Sequence, residues 1–304
     1  MSNKLVSVVI PTYKRPEMLS RAIHSVLKQT YSPLEIIVVD DNGTDSDEHL
    51  KTLGVVEKYL NQIVYIVHEK NKGGSAARNS GWRAAHGEYI TFLDDDDEIM
   101  AEKIEYQVEC LEKQDGLYGA CYTAYKILGM GGRKQISATN VVGSVYLQAL
   151  ARNFYVGSGS NLLFRKIAVD TVGGYDESFI RNQDIEFMAR IFEHYKVAFV
   201  DKTLLLIHQE IRNTRRSFEE ADRISTYYIE KFAPKINKLG TVAAKKVYKT
   251  IALDRARIAI QSYGEYRAAI RILSEYHVGL FFALKYIFHL IYRRITHKSF
   301  GFVA

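Results

Sequence analysis

The sequence predicts a doubly wound α/β domain on a mostly parallel sheet, followed by a helical, basic C-terminal extension. Three observations lead there. Apolar, β-branched runs alternate with amphipathic stretches through the first 95 residues, the pattern of strand–helix crossovers. The chain of 304 residues is 47% hydrophobic and 12% aromatic, enough for a sizeable core and incompatible with disorder as the main state. From Ser217 onward the periodicity is helical throughout.

Residues 5–10 form one apolar run, hence a strand buried on both faces. PTYKRP follows, then a helix with Leu19, Ala22, Ile23, Val26 and Leu27 on one stripe and Pro16 at its first position. Residues 35–40 (EIIVVD) are the second strand and 46–60 a polar helix. Residues 63–68 are the third strand, 74–86 the third helix, 88–93 the fourth strand and 98–113 the fourth helix. Beyond Leu117 the pattern loosens. Residues 118–128 read as a strand, 129–134 (GMGGRK) as a turn, 142–153 as helix, 157–164 and 196–207 as strands, and 184–195 as the helix between them. Strands stop near 210–240, where Pro234 and Gly240 interrupt, so the chain divides into 1–215 (with halves 1–115 and 116–215) and 216–304.

The formal net charge is +6, which suggests an acidic partner. Residues 241–304 hold 11 Lys and Arg against 3 Asp and Glu, a net of +8, while residues 1–240 hold 30 against 32, a net of −2. The basic character therefore belongs to the tail. Two cysteines, Cys110 and Cys121, argue against a disulfide framework and a four-ligand zinc site, and a reduced cytoplasmic setting is expected. The run 5–10 is too short for a signal peptide and ends at Pro11. No stretch reaches the roughly 18–20 apolar residues of a membrane span.

Asp94, Asp95, Asp96 and Asp97 follow directly on the fourth strand. Adjacent carboxylates repel one another, so the run is either a solvated turn or a cation site. Parallel strands deliver ligand-binding groups at their carboxyl ends, and carboxylate pairs there suit Mg²⁺ or Mn²⁺ shared with phosphate. The second strand ends in Asp40 and Asp41, read either as an Asx turn or as acceptors for a base or ribose. The third is followed by NKGGSAARNSG (71–81), either a plain glycine turn or an anion site at a helix start. G-x-x-x-x-G-K-[ST] and G-x-G-x-x-G are both absent, which disfavours a P-loop phosphotransferase and a dinucleotide oxidoreductase.

VSVVIPTYKRPEMLSRAIHSVLKQTYSPLEIIVVDDNGTD, NKGGSAARNSG and GEYITFLDDDDE, then GGYDESFIRNQDIEFMARI (173–191), resemble glycosyltransferase family 2, inverting enzymes of GT-A fold. The match covers about the first 100 residues and resumes at 173. The resemblance implies a catalytic domain over 1–215, with a nucleotide-binding half (1–115) and an acceptor half (116–215). Pro11, Thr12 and Tyr13 would close over the base and ribose, Arg15 would bind the nucleotide nearby, and Asp41 would read the base, usually uracil. Lys72 and Arg78 would stand near the nucleotide. Asp94–Asp95–Asp96 match the DXD motif, Asp95 meeting the ribose and Asp96 binding a Mn²⁺ or Mg²⁺ that bridges the diphosphate. Asp184 would be the catalytic base, with Gln183 where the family commonly has Glu; by itself Asp184 also reads as a helix N-cap. His208 would complete the metal shell, or serve structurally. Trp82 reads as core rather than a sugar platform. Arg212, Arg215 and Arg216 read as a solvated charge run or as closing over the diphosphate.

The expected activity is metal-dependent transfer from a nucleotide sugar, a UDP-sugar, to a saccharide or lipid-linked saccharide at the inner face of a bacterial membrane. A nucleotidylyltransferase and a non-catalytic nucleotide-sugar-binding scaffold are the alternatives; the first would need a Gly-rich loop in place of PTYKRPEM. No nucleic-acid partner is expected, since base-stacking motifs are missing. In the tail, Val278 to Tyr292 is apolar except for Lys285 and His289, whose four-residue spacing Arg293 continues. That single polar stripe fits a helix in a membrane interface over 278–298, or a core or subunit-packing helix.

Overall fold

The computed structural model describes residues 4–129, 134–209 and 217–302. It divides into two compact units, Met1–Ser144 with Val156–Gln209, and Val145–Tyr155 with Glu210–Ala304. Residues 145–155, expected in the acceptor half, thus group with the helical unit.

In chain order the elements up to 209 are β1 (Val6–Thr12), α1 (Pro16–Leu27), β2 (Leu34–Asp40), α2 (Asp47–Val56), β3 (Val64–Val67), α3 (Gly74–Ala84), β4 (Tyr89–Phe92), β5 (Asp97–Ile99), α4 (Lys103–Glu112), β6 (Tyr118–Leu128), β7 (Lys134–Ser137), α5 (Tyr146–Leu150), β8 (Leu163–Arg165), α6 (Lys166–Val172), α7 (Gln183–His194) and β9 (Lys196–His208). The sheet of the first unit runs β7-β6-β8-β4-β1-β2-β3. Its β4-β1-β2-β3 part is parallel, β8 is antiparallel to β4 and β6, and β9 pairs parallel with β6. All seven residues of β1 are buried between β2 and β4, which is why its run is apolar without alternation. Each aliphatic side chain so buried contributes roughly 1.5–3 kcal/mol. α1 starts at Pro16, and Leu19, Ala22, Ile23 and Val26 cover the sheet while Leu27 turns outward. Ser46 caps α2 by accepting from the His49 N–H.

Four local expectations are corrected. Residues 97–99 are strand rather than the start of helix, because they pair antiparallel with β9 (Asp97↔Ile207, Ile99↔Leu205). Helix over 142–153 shrinks to Tyr146–Leu150, since Gly143 at φ +96° bridges to Val197. Residues 159–161 form a 3₁₀ turn ahead of β8, because the Asn161 side chain bonds both the N–H and the C=O of Thr123. β7 begins at Lys134, the last residue of the turn expected over 129–134, and pairs with β6. The parallel strands bring residues 11–15, 40–42, 71–74 and 94–97 to one sheet edge.

In the second unit α8 (Phe218–Asn237), α9 (Thr241–Ile258), α10 (Tyr266–Glu275) and α11 (Leu280–Thr296) follow α5. A capping box between Ser217 and Glu220 starts α8. That helix runs through Pro234 and stops before Gly240, whose φ of +83° opens α9. The two-residue strand Lys298–Ser299 departs from the all-helical expectation. Tyr228, Phe232, Ile236, Val247 and Ile251 are buried here. Arg255 pairs with Asp222 at 2.8 Å. Among the described residues no helix is long and apolar enough to cross a membrane.

Candidate active site

The four adjacent aspartates are relieved one by one. Asp94 Oδ1 takes the Arg78 guanidinium at 2.6 Å. Asp95 is fully buried, accepts from the Thr12 hydroxyl at 2.8 Å and lies 2.9 Å from Arg15. Asp96 pairs with the other end of Arg15, while Arg21 donates to its carbonyl at 2.7 Å. Asp97 accepts from the hydroxyls of Ser158 and Ser160, both at 2.6 Å. Burial pushes Asp95 and Asp97 up to about 7, against Arg15 for the first and with Asp94 for the second. The PTYKRP loop is thereby tied to the acidic run by Thr12 and Arg15. Pro11 is buried in β1, and Tyr13 is exposed with Lys14 Nζ 5.1 Å above its ring. Asp95, expected to meet a ribose, directs its carboxylate into this loop.

Asp41 is buried and accepts from four donors: His68 Nδ1 at 2.7 Å, Asn71 Nδ2 at 3.0 Å, and the N–H groups of Lys72 and Gly73 at 2.8 Å each. A carboxylate has about four lone-pair sites, so Asp41 holds the loop that leads into α3. The Lys72 side chain is exposed beside it. Asp40 is structural: it binds Asn42, His49 at 2.8 Å and Tyr65 at 2.6 Å.

Arg78 joins these loops to α7. Besides Asp94 it donates to Gln183 Oε1 at 3.1 Å, and it lies over the Tyr175 ring at 5.4 Å. Burial opposes its charge, but Asp94 and Asp184 outweigh that and raise its pKa. Gln183 thus supplies a neutral acceptor to Arg78. Asp184 is the second residue of α7, partly buried, and accepts from the Tyr175 hydroxyl at 3.3 Å. Burial raises its pKa, Arg78 works against this and Asp94 with it. It does not cap the helix: Asn182, at φ +59°, is the N-cap and makes no side-chain cap bond. The cap alternative is therefore set aside.

A turn missed by sequence reasoning completes the site. Ser160 Oγ accepts the Asp94 N–H at 3.0 Å while donating to Asp97. A Cβ added to Gly159 would lie 2.7 Å from Asp184 Oδ1. The run GSGS (157–160) carries the signal for this turn, although the stretch 157–164 predicts strand. Tyr175, stacked on Phe187 at 4.1 Å and fixed by Asn79, was likewise overlooked within GGYDE. Trp82 donates to Asp170 at 2.8 Å and packs against Gly174. Arg212, Arg215 and Arg216 lie outside the described residues.

The β5–β9 register, with Asp97 opposite Ile207, places Asp96 and His208 one step further along the same strand pair. His208 Nε2 is 3.2 Å from Glu98. Among the described residues no group of three or more His, Cys, Asp or Glu side chains forms a metal cage. An oxygen-rich carboxylate beside an imidazole nevertheless suits a hard divalent ion that takes its remaining ligands from phosphate and water.

A sequence profile described as Glycosyl transferase family 2 matches residues 7–173. An uncharacterized glycosyltransferase of Rickettsia felis is 29% identical over 252 residues, 75% of this chain and 38% of that protein. The UDP-Glc:alpha-D-GlcNAc-diphosphoundecaprenol beta-1,3-glucosyltransferase WfgD of Escherichia coli is 36% identical over 115 residues, 38% of this chain and 44% of that one. The chain therefore spans less than half the length of either relative. Staphylococcus aureus TarS 1–349, solved in complex with UDP-GlcNAc, superposes with a TM-score of 0.65 at 19% identity, covering 89% of this chain and 80% of that one. The fold is accordingly GT-A, with a mostly parallel sheet and a helical C-terminal part.

Proposed function

The chain belongs to glycosyltransferase family 2, and we propose that it is an inverting enzyme that moves a sugar from a UDP-sugar to a hydroxyl of a lipid-linked or polysaccharide acceptor. The observation that carries this reading is Asp184, partly buried, raised in pKa, and facing the acidic run through Arg78. Inversion in one displacement needs a base on the acceptor hydroxyl and charge stabilisation on the leaving group. Asp184 takes the proton as the acceptor oxygen bonds to the anomeric carbon and the nucleoside diphosphate departs, an assistance typically worth about 10²–10⁴-fold.

The nucleotide lies over the shared sheet edge, against Pro11, Thr12, Tyr13 and the Asp41-held loop. Arg15, Lys72 and Arg78 face its phosphates. Asp94 orients Arg78, and Asp95 holds Thr12 and Arg15. Asp96 and His208 would hold Mn²⁺ or Mg²⁺, with Arg15 giving up Asp96. When bound, the cation neutralises negative charge on the diphosphate. The inner face of the cell membrane is the place that fits a lipid-linked acceptor, as in the name of the E. coli relative.

The test is UDP release from a panel of UDP-sugars with saccharide and lipid-linked acceptors, with Mn²⁺ or chelator. The expected result is cation-dependent release with one donor, lost in Asp184→Asn. Absence of release from every donor would sink the enzyme reading, and full activity of Asp184→Asn would remove its base.

A further inference from the structure

Lys285, His289 and Arg293 form the one polar stripe of a helix expected either in a membrane interface or packed in a core. The structure turns part of that stripe toward the helical unit. His289 packs among Tyr286, Phe300 and Phe302 at centroid distances of 4.9–6.2 Å. Arg293 lies 4.6 Å over the Tyr155 ring. Burial, then Arg293, pushes the His289 imidazole down to about 4, so it stays neutral inside. Phe282, Ala283 and Leu290 pack beside Tyr286, Leu253 and Phe302 in the same cluster. This side of α11 is the one committed to the helical unit.

The opposite side is apolar and bare. Leu280 is 77% exposed, Phe281 82%, Phe288 68% and Ile295 72%, and Leu284, Ile287, Ile291 and Tyr292 are exposed with them. At 3.6 residues per turn these eight side chains fill one uninterrupted arc of about 140°. Lys285 falls just past one edge of the arc and Arg294 just past the other, both exposed. α11 carries no acidic residue, and residues 241–304 hold the excess of +8.

From this arrangement we infer that α11 docks on an anionic lipid bilayer. The helix lies in the interface plane, its bare arc sunk among the acyl chains and Lys285 and Arg294 at the lipid phosphates. Two features select a bilayer over a protein partner. The apolar arc is continuous and carries no side-chain acceptor or donor except the Tyr292 hydroxyl, so it specifies depth rather than a shaped partner. Its two borders are basic, which matches phosphates on either side of an embedded helix. A helix of 17 residues is about 25 Å long, and it lies in the surface without spanning it. This inference goes beyond the proposed reaction and is tested without it.

The experiment is co-sedimentation of the full chain with vesicles of phosphatidylcholine alone and of phosphatidylcholine mixed with an equal part of phosphatidylglycerol, at low and high salt. The chain is expected to pellet with the anionic vesicles and to be released in part by salt. Phe281→Glu/Phe288→Glu should weaken binding by at least about ten-fold through lost apolar burial. Lys285→Gln/Arg294→Gln should keep residual binding but lose the preference for phosphatidylglycerol. All variants change exposed side chains, and unchanged circular dichroism and melting would show intact folding. Failure to bind either vesicle overturns the inference, as does binding insensitive to the Phe281/Phe288 pair. A self-associating chain whose dimer that pair dissolves, without vesicle binding, would assign the face to a second copy instead.

Discussion

Gly159 leaves no room for a side chain between itself and Asp184: a Cβ at residue 159 would lie 2.7 Å from Oδ1 and 2.8 Å from Cγ of the aspartate. Glycine is required here for space rather than for its backbone angles, because its φ lies outside the left-handed region. Gly159→Ala should therefore displace the carboxylate by a fraction of an ångström to an ångström. A misplacement of that size costs on the order of 10²-fold in turnover. Steady-state kinetics should show the loss in kcat with donor KM nearly unchanged. A variant with wild-type kcat would detach this contact from catalysis.

As the proposed base, Asp184 would work only when ionised, and burial raises its pKa above the ordinary aspartate value. Turnover should accordingly fall as pH drops through that raised pKa and level off above it. In Asp184→Asn the acid limb should vanish together with about 10²–10⁴ of the rate. A limb that persists in the variant would belong to another group.

Arg78 holds the Asp184 pKa down from a distance while binding Asp94 directly. Arg78→Ala removes that restraint and leaves two carboxylates facing each other. The acid limb should move to higher pH, and donor KM should rise if Arg78 faces the phosphates as proposed. Arg78→Lys keeps the charge but cannot serve Asp94 and Gln183 from one planar fork, so it should restore the limb more fully than the rate. Identical pH profiles for wild type and Arg78→Ala would contradict the coupling.

Lys103 is buried behind the acidic run, donating to Gln107 Oε1 at 2.8 Å and to the Asn161 carbonyl at 3.2 Å. Burial lowers its pKa from 10.5 to about 7. Between those values the unfolded chain binds more protons than the folded one, so this group makes stability rise with pH across that window; below about 7 its contribution is constant and unfavourable. Lys103→Met should melt higher than wild type at pH 6, and the difference should shrink by a few kcal/mol toward pH 10. Thermal melts across pH measure it, and a difference independent of pH would show that Lys103 is neutral or charged throughout.

Asp96→Asn keeps the shape of the residue but removes a charged oxygen. The concentration of Mn²⁺ needed for half-maximal UDP release should rise by at least about ten-fold if Asp96 is a ligand. His208→Ala should shift the same titration less, since an imidazole is the weaker partner for a hard ion. Unchanged cation dependence in both variants would move the site elsewhere.

The centre of the parallel core was legible because β1 and β4 are buried throughout, and burial of that kind writes itself as unbroken runs such as residues 5–10. The charged edge was legible in position but not in allegiance. Sequence adjacency says that Asp94 to Asp97 are neighbours; it does not say that alternate side chains will turn toward Arg78, Thr12, Arg15 and Ser158. Those partners lie up to 83 residues away, as for Thr12 and Asp95. The 157–161 turn is held by bonds from distant residues, Thr123 and Asp97, and its Gly/Ser composition is followed at once by the apolar run 162–164 that predicts strand. The stripe in α11 was found by its spacing, yet periodicity alone does not say which half of an almost wholly apolar helix meets the protein.

Asp41 shows what such tertiary allegiance means for change over time. Its four donors include two main-chain N–H groups, which of the standard residues only proline would remove. An asparagine there offers one oxygen and a pair of hydrogens, so one end of the amide would point hydrogen against hydrogen. Asp41→Asn therefore needs a compensating rearrangement of residues 71–73.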